Sequence, residues 1–176
     1  MFYTRSLDTG NQDGNTILFR SVSCILGLHQ LTMQYNSYAT TIELPQSPAE
    51  VFNAITQVSK WWSRDFSGNS AKLGDEFIIH HPGRHYSKQE LVELIPNKRM
   101  VWLVTESTLD WLQHNKHEWT DTRMIFEVTT QGDKTILHFK HEGLSPEKEC
   151  YRMCEQGWTM VIRDRLFHFI TEGKEI

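Results

Sequence analysis

The spacing of apolar residues changes several times along this chain, and each change marks an element. Tyr38, Thr40 and Ile42 alternate with Ala39, Thr41 and Glu43, which predicts a strand that Pro45 ends. Ser47-Pro48-Ala49-Glu50 then reads as a helix start. A capping hydroxyl, a proline at the first position and a carboxylate three residues on satisfy or remove the free amides there. Val51, Phe52 and Ile55 supply that helix's buried side, and a second short helix over Val58 to Trp62 breaks at Ser67-Gly68-Asn69.

From Gly74 the period is two. Phe77 and Ile79 open a strand, His81-Pro82-Gly83-Arg84 turns it, and Lys88 to Leu94, Arg99 to Thr105, Thr122 to Thr130 and Thr135 to Leu144 follow. Between them, Leu109 to Trp119 is polar and His-rich, and reads as a flexible loop. After Ser145-Pro146 the pattern becomes helical. Tyr151, Cys154, Trp158, Ile162, Leu166 and Phe169 share one face of a helix that stops near Gly173. At about 25 residues it would be about 37 Å long, so it needs an equally long apolar surface to lie on. The expected fold is α+β: a curved six-stranded antiparallel sheet around a long C-terminal helix, with two short helices after the first strand.

Composition narrows the role. Of 176 residues, 39% are apolar, enough for one core, and the net charge of -4 with dispersed basic residues excludes nucleic acid as main partner. No stretch approaches the roughly 20 apolar residues of a membrane helix. Three cysteines, Cys24, Cys150 and Cys154, give no disulfide framework and suit a reducing cytoplasm. Residues 1–32 are turn-rich and then modestly apolar, broken by Arg20 and His29, which argues against a signal peptide. They read as a poorly ordered extension before a domain over 33–176, with Met33 as a plausible start. Six tryptophans suit the wall of an apolar pocket.

Several segments together resemble a known superfamily. They are Ser47-Pro48-Ala49-Glu50-Val51-Phe52-Asn53-Ala54-Ile55, Lys60-Trp61-Trp62, Leu73-Gly74-Asp75, Thr135, His141-Glu142-Gly143-Leu144, Tyr151 and Gly157-Trp158. Over about residues 35 to 173 the chain resembles the START-like, SRPBCC or Bet v 1-like helix-grip proteins. Within them it is most similar to the activator of heat-shock-protein ATPase homologue group. The resemblance implies a cavity between sheet and terminal helix that holds a hydrophobic or amphipathic small molecule. It also leaves a cyclase or hydratase enzyme, or a stress and chaperone accessory, as alternatives. In the eukaryotic co-chaperone the similar part is the C-terminal domain alone.

The residues expected to line such a cavity are Trp61, Trp62, Phe77, Ile79, His81, Trp102, Met124, Phe126, Phe139, His141, Trp158, Met160 and Ile162. Two adjacent indoles, Trp61 and Trp62, cannot both enter the core from one helical face, so one of them is expected at the cavity mouth. His81, Glu90, Glu106 and His141 are the candidates for acid–base chemistry should they face inward. The nine histidines suggest no metal site, because His80 and His81, like His138 and His141, fall on opposite strand faces. No phosphate-binding loop or dinucleotide fingerprint is present, so no cofactor is expected. The reading favours a binder without turnover. A weak homodimer through exposed strand edges stays open.

Overall fold

The computed structural model describes residues 37–176, and the expectations for residues 1–32, Met33 and Cys24 lie outside them. Seven strands form one open antiparallel sheet: β1 (Tyr38–Leu44), β2 (Phe66–Gly68), β3 (Glu76–His81), β4 (His85–Ile95), β5 (Arg99–Leu109), β6 (Arg123–Gln131) and β7 (Lys134–Glu142). Their order is β1-β7-β6-β5-β4-β3-β2. The strand beyond the six expected is β2. At three residues it is too short to alternate visibly, and it pairs only with the edge of β3.

Helix α1 (Pro48–Ile55) starts as its sequence dictates: Ser47 N–H donates to Glu50 Oε2 (2.8 Å), and Ser47 Oγ accepts from Glu50 N–H. α2 (Val58–Trp61) is a single turn. Together they carry the chain from the β1 edge to the β2 edge, and α1 packs on β6 and β7. The short helix resolves the tryptophan problem. Trp62 has already left α2, so both indoles turn inward, stacked at 6.1 Å and 20°. Trp61 also donates from Nε1 to the carbonyls of Ala54 and Ile55, which ties off the end of α1.

The inner face of the sheet is set by register. Opposed residues share a face, so Phe139 meets Phe126, Phe126 meets Met100, and Met124 meets Trp102. Register shifts after Lys88 and after Leu91 add twist between β4 and β5.

The terminal helix is continuous over residues 151–172 but not uniform. α3 (Tyr151–Met160) runs into a π-helical segment (Val161–Leu166) and then α4 (Phe167–Glu172), which Gly173 ends at φ +67. Cys154, Trp158, Ile162 and Leu166 are spaced by four, and on a regular helix each step would drift about 40° around the axis. The i→i+5 bonding of the π segment takes up that drift, and all four stay buried. Among the described residues no helix is long and apolar enough to cross a membrane.

The segment after β5, expected to be flexible, is tied down instead. Leu112 and Trp119 are buried in the core. Asp121 N–H donates to the Val104 carbonyl (2.9 Å) and Val104 N–H to that of Thr122 (2.9 Å). Glu118 accepts from the amides of Glu149 (3.0 Å) and Cys150 (2.8 Å), the free donors at the start of α3. Glu149 in turn accepts from the amides of Gln113 and His114. The polar letters that suggested mobility are cross-links between this segment and the helix. Replacing Glu118→Ala removes both cap bonds and should cost about 1–2 kcal/mol of stability in urea unfolding. An unchanged midpoint would show that the segment is not held this way.

Candidate functional site

The space between sheet and helix is divided. Its deeper part is filled by rings. Trp61, Trp62 and Trp102 lie nearly parallel at 6.1–6.4 Å. Phe77 and Phe126 meet Trp102 edge-on at 5.0 and 4.8 Å, and Phe139 continues to Phe126 (4.9 Å) and Trp158 (4.6 Å). The outer part, beside α3 and the β3–β4 turn, is a cleft of about 640 Å³.

Of the expected cavity residues, Trp62, Ile79, His81, Trp158 and Met160 line this cleft. Trp61, Phe77, Trp102, Met124, Phe126, Phe139, His141 and Ile162 do not; they pack against other side chains of the core, away from the cleft. Of the six tryptophans, Trp61 and Trp102 have gone into the core, while Trp62, Trp111, Trp119 and Trp158 contribute to the wall. The remaining lining comes from residues the sequence did not single out as a cavity wall: Gly83, Arg84, His85, Asp110, Trp111, Trp119 and Arg165, with Val161, Met153, Cys154 and Gly157 on the helix. Trp119 and Trp111 were hidden because they sit in the polar segment. Arg165 comes from the π segment, whose register no periodicity rule anticipates.

His141 lies at the boundary between filled core and cleft. Trp158 Nε1–H donates to its Nδ1 (2.8 Å), which leaves the ring proton on Nε2 for Thr122 Oγ1 (2.8 Å). Thr122 passes its own proton to the carbonyl of Trp119. The backbone at Gly143 (φ +92) makes room for this: a Cβ there would lie 2.9 Å from Thr122 Cγ2. Burial pushes the His141 ring down to about 3, aided by the charge of Lys148. With both nitrogens spent and no solvent exposure, His141 positions Trp158 and has no site for substrate.

His85 differs. Gln89 and Ser87, both fully buried, lie beyond it on the inner face of β4. Gln89 accepts from Ser87 Oγ (2.5 Å) and donates to the carbonyls of Ser87 and Phe77. Ser87 Oγ therefore accepts from His85 Nε2–H (2.8 Å), and His85 Nδ1 has no partner among the described residues. Burial first, then the neighbouring His81 and His80, lower this ring to about 4. It faces the cleft neutral, edge-on to Trp119 at 4.8 Å.

His81 is held by Asp65 Oδ2 at Nδ1 (3.1 Å) and Ser63 Oγ at Nε2 (3.2 Å). The order Asp–His–Ser is that of a nucleophilic triad, but Ser63 does not line the cleft and accepts from Asp65 N–H as well. The set orients a ring at the mouth. Glu90 and Glu106, offered as inward acids, lie outside the cleft. Glu90 is half-buried, and Glu106 is exposed and bonded to the Tyr86 hydroxyl, because the shifts in β4–β5 pairing bring Ser107 and Leu109 to the inside instead. Cys150 and Cys154 are free buried thiols, and Cys154 Sγ accepts from Trp119 Nε1–H (3.3 Å). Its bond to Cys154, together with burial, pushes the Cys150 thiol up.

Known proteins agree with this architecture. A family model described as Activator of Hsp90 ATPase homolog 1-like protein matches residues 45–170. The chain is similar to the Aha1 dimer from Colwellia psychrerythraea, known from a solution structure, with 22% identity and a TM-score of 0.63 over 78% of this chain and 98% of that one. DynU16, from the dynemicin biosynthetic locus, is similar at 15% identity and TM-score 0.58, over 78% of this chain and 48% of that one. CalU16 from Micromonospora echinospora matches at 18% identity and TM-score 0.55, over 78% and 77%. At these identities the solved structures show the fold. No curated protein matches the chain.

The two depressed histidines make stability fall with acid. Their folded-state values lie below the unfolded value near 6.5, so the unfolded chain takes up more protons as pH drops. Stability is whole above about pH 6.5 and is lost at about 1.4 kcal/mol per unit per ring down to the folded values. Between pH 7.5 and pH 5 the two together should remove about 4 kcal/mol, and the variant His141→Gln should lose only about half as much. Urea titrations at both pH values check this. Equal losses in both proteins would mean that His141 is not buried neutral.

Proposed function

We propose, for a chain that belongs to the Activator of Hsp90 ATPase homolog 1-like family, that it binds a hydrophobic or amphipathic small molecule beside the N-terminal half of its long helix. One observation carries this reading: a space of about 640 Å³ whose wall includes Trp62, Trp111, Trp119 and Trp158. Small-molecule sites commonly occupy about 300–1,000 Å³ and combine an apolar lining with a few placed polar groups.

The polar groups favour binding over turnover. His81 has both ring nitrogens engaged, and His85, lowered to about 4, is a weak base at neutral pH. Free thiols at Cys150 and Cys154 support a reducing, cytoplasmic setting. The Colwellia protein is described as a dimer, which supports a weak homodimer here as well.

Gly157 gives a direct test. It lines the cleft from mid-helix, and a Cβ there meets nothing within 4 Å. Gly157→Ala should raise stability by about 0.5–1 kcal/mol through helix propensity. Gly157→Leu should keep the melting temperature and occupy part of the cleft. Titrating alkyl and aromatic compounds against tryptophan fluorescence should then give saturable changes in the parent and weaker binding in Gly157→Leu. Native mass spectrometry of gently purified protein should likewise find a bound small mass at higher occupancy in the parent. Absence of binding to the parent in both assays would end this reading.

A further inference from the structure

We propose that the cleft selects amphipathic acids, with Arg84 and Arg165 receiving the anionic head while the tryptophan wall holds the body; this rests on the cleft being a ligand site. The chain as a whole is acidic, with 22 Asp and Glu against 18 Lys and Arg, yet the cleft carries the opposite balance. Among its lining residues Arg84 and Arg165 stand against one carboxylate, Asp110, which already has Lys116 Nζ at 3.8 Å.

Neither arginine forms an ion pair among the described residues, whereas Arg99 engages both Glu93 and Glu127. Arg165 donates once, from Nη1 to the Trp62 carbonyl (3.1 Å), and its other guanidinium N–H groups stay uncommitted. Arg84 is exposed on the turn between β3 and β4, and Arg165 comes from the π segment. The histidines do not compete for an anion: His85 is neutral and His81 is already paired with Asp65. A guanidinium at the edge of an apolar, partly desolvated cleft binds a carboxylate or sulfonate more strongly than one in open water.

A matched pair of fluorescent probes separates the head from the body. Anilinonaphthalene sulfonate and N-phenylnaphthylamine share the same rings, and only the first carries a sulfonate. The parent protein should bind the sulfonate at least about tenfold more tightly than the neutral probe, as one charge-assisted pair allows. Arg84→Met and Arg165→Met should each reduce sulfonate affinity about three- to tenfold and leave the neutral probe unchanged. Arg123→Met, exposed at the start of β6 and outside the cleft, should affect neither probe, and Gly157→Leu should weaken both.

Equal affinity of the two probes for the parent would overturn acid selection while leaving the cleft as a binding site. Failure of both probes to bind would overturn the two readings together. Arg165 also holds the Trp62 carbonyl, so a loss of both probes in Arg165→Met would report a loosened wall. Arg84, which makes no side-chain hydrogen bond among the described residues, then decides: if Arg84→Met weakens both probes equally, or neither, the proposal fails. Sulfonate binding wholly unweakened in Gly157→Leu would place the anion outside the cleft and overturn it as well.

Discussion

Trp158 must place an indole N–H inside a core built largely of ring carbon, and His141 Nδ1, 2.8 Å away, accepts it. That single bond joins the helix to β7. It also fixes the His141 tautomer, which places a donor on Thr122, whose hydroxyl reaches the Trp119 carbonyl. An unpaired N–H at this depth would cost about 1–3 kcal/mol. Helix, last strand and the segment after β5 are thus held by one chain of protons, and Trp119 is delivered to stack on Trp158 at 5.7 Å and 15°.

The same residue divides the interior. On one side of Trp158, Phe139, Phe126, Trp102 and Trp61 pack ring against ring. On the other, Trp119, Trp62 and the helix backbone at Gly157 stand back from one another. The fold therefore needs no extra element to create a cleft. It needs only that the aromatic filling stop at a fixed point, and the hydrogen-bonded indole sets that point. The missing side chain at Gly157 and the unbranched Met153 and Met160 keep the helical wall adaptable.

The π segment follows from the same demand. Ile162 and Leu166 have to continue the buried line begun by Cys154 and Trp158, and steps of four overshoot a regular turn. Widening the helix there restores the line and brings Val161 and Arg165 to the cleft. Packing and site chemistry thus meet in one local change of helix geometry.

Much of this was legible in the residues themselves. Alternation gave six strands, Ser47-Pro48-Ala49-Glu50 gave the start of α1, and the apolar face from Tyr151 to Phe169 gave the terminal helix, because these signals depend on neighbours within a few positions. Which aromatic fills and which one lines was not legible. Phe77, Phe126 and Ile79 have the same inward alternation, yet the first two are packed solid and the third meets the cleft, a matter of depth across the sheet. Glu118, Trp119 and Arg165 take their roles from partners 31 to 103 residues away along the chain. Local pattern determines which face a side chain takes; only the closing of helix on sheet decides what it finds there, since burial and pairing are properties of two surfaces brought together.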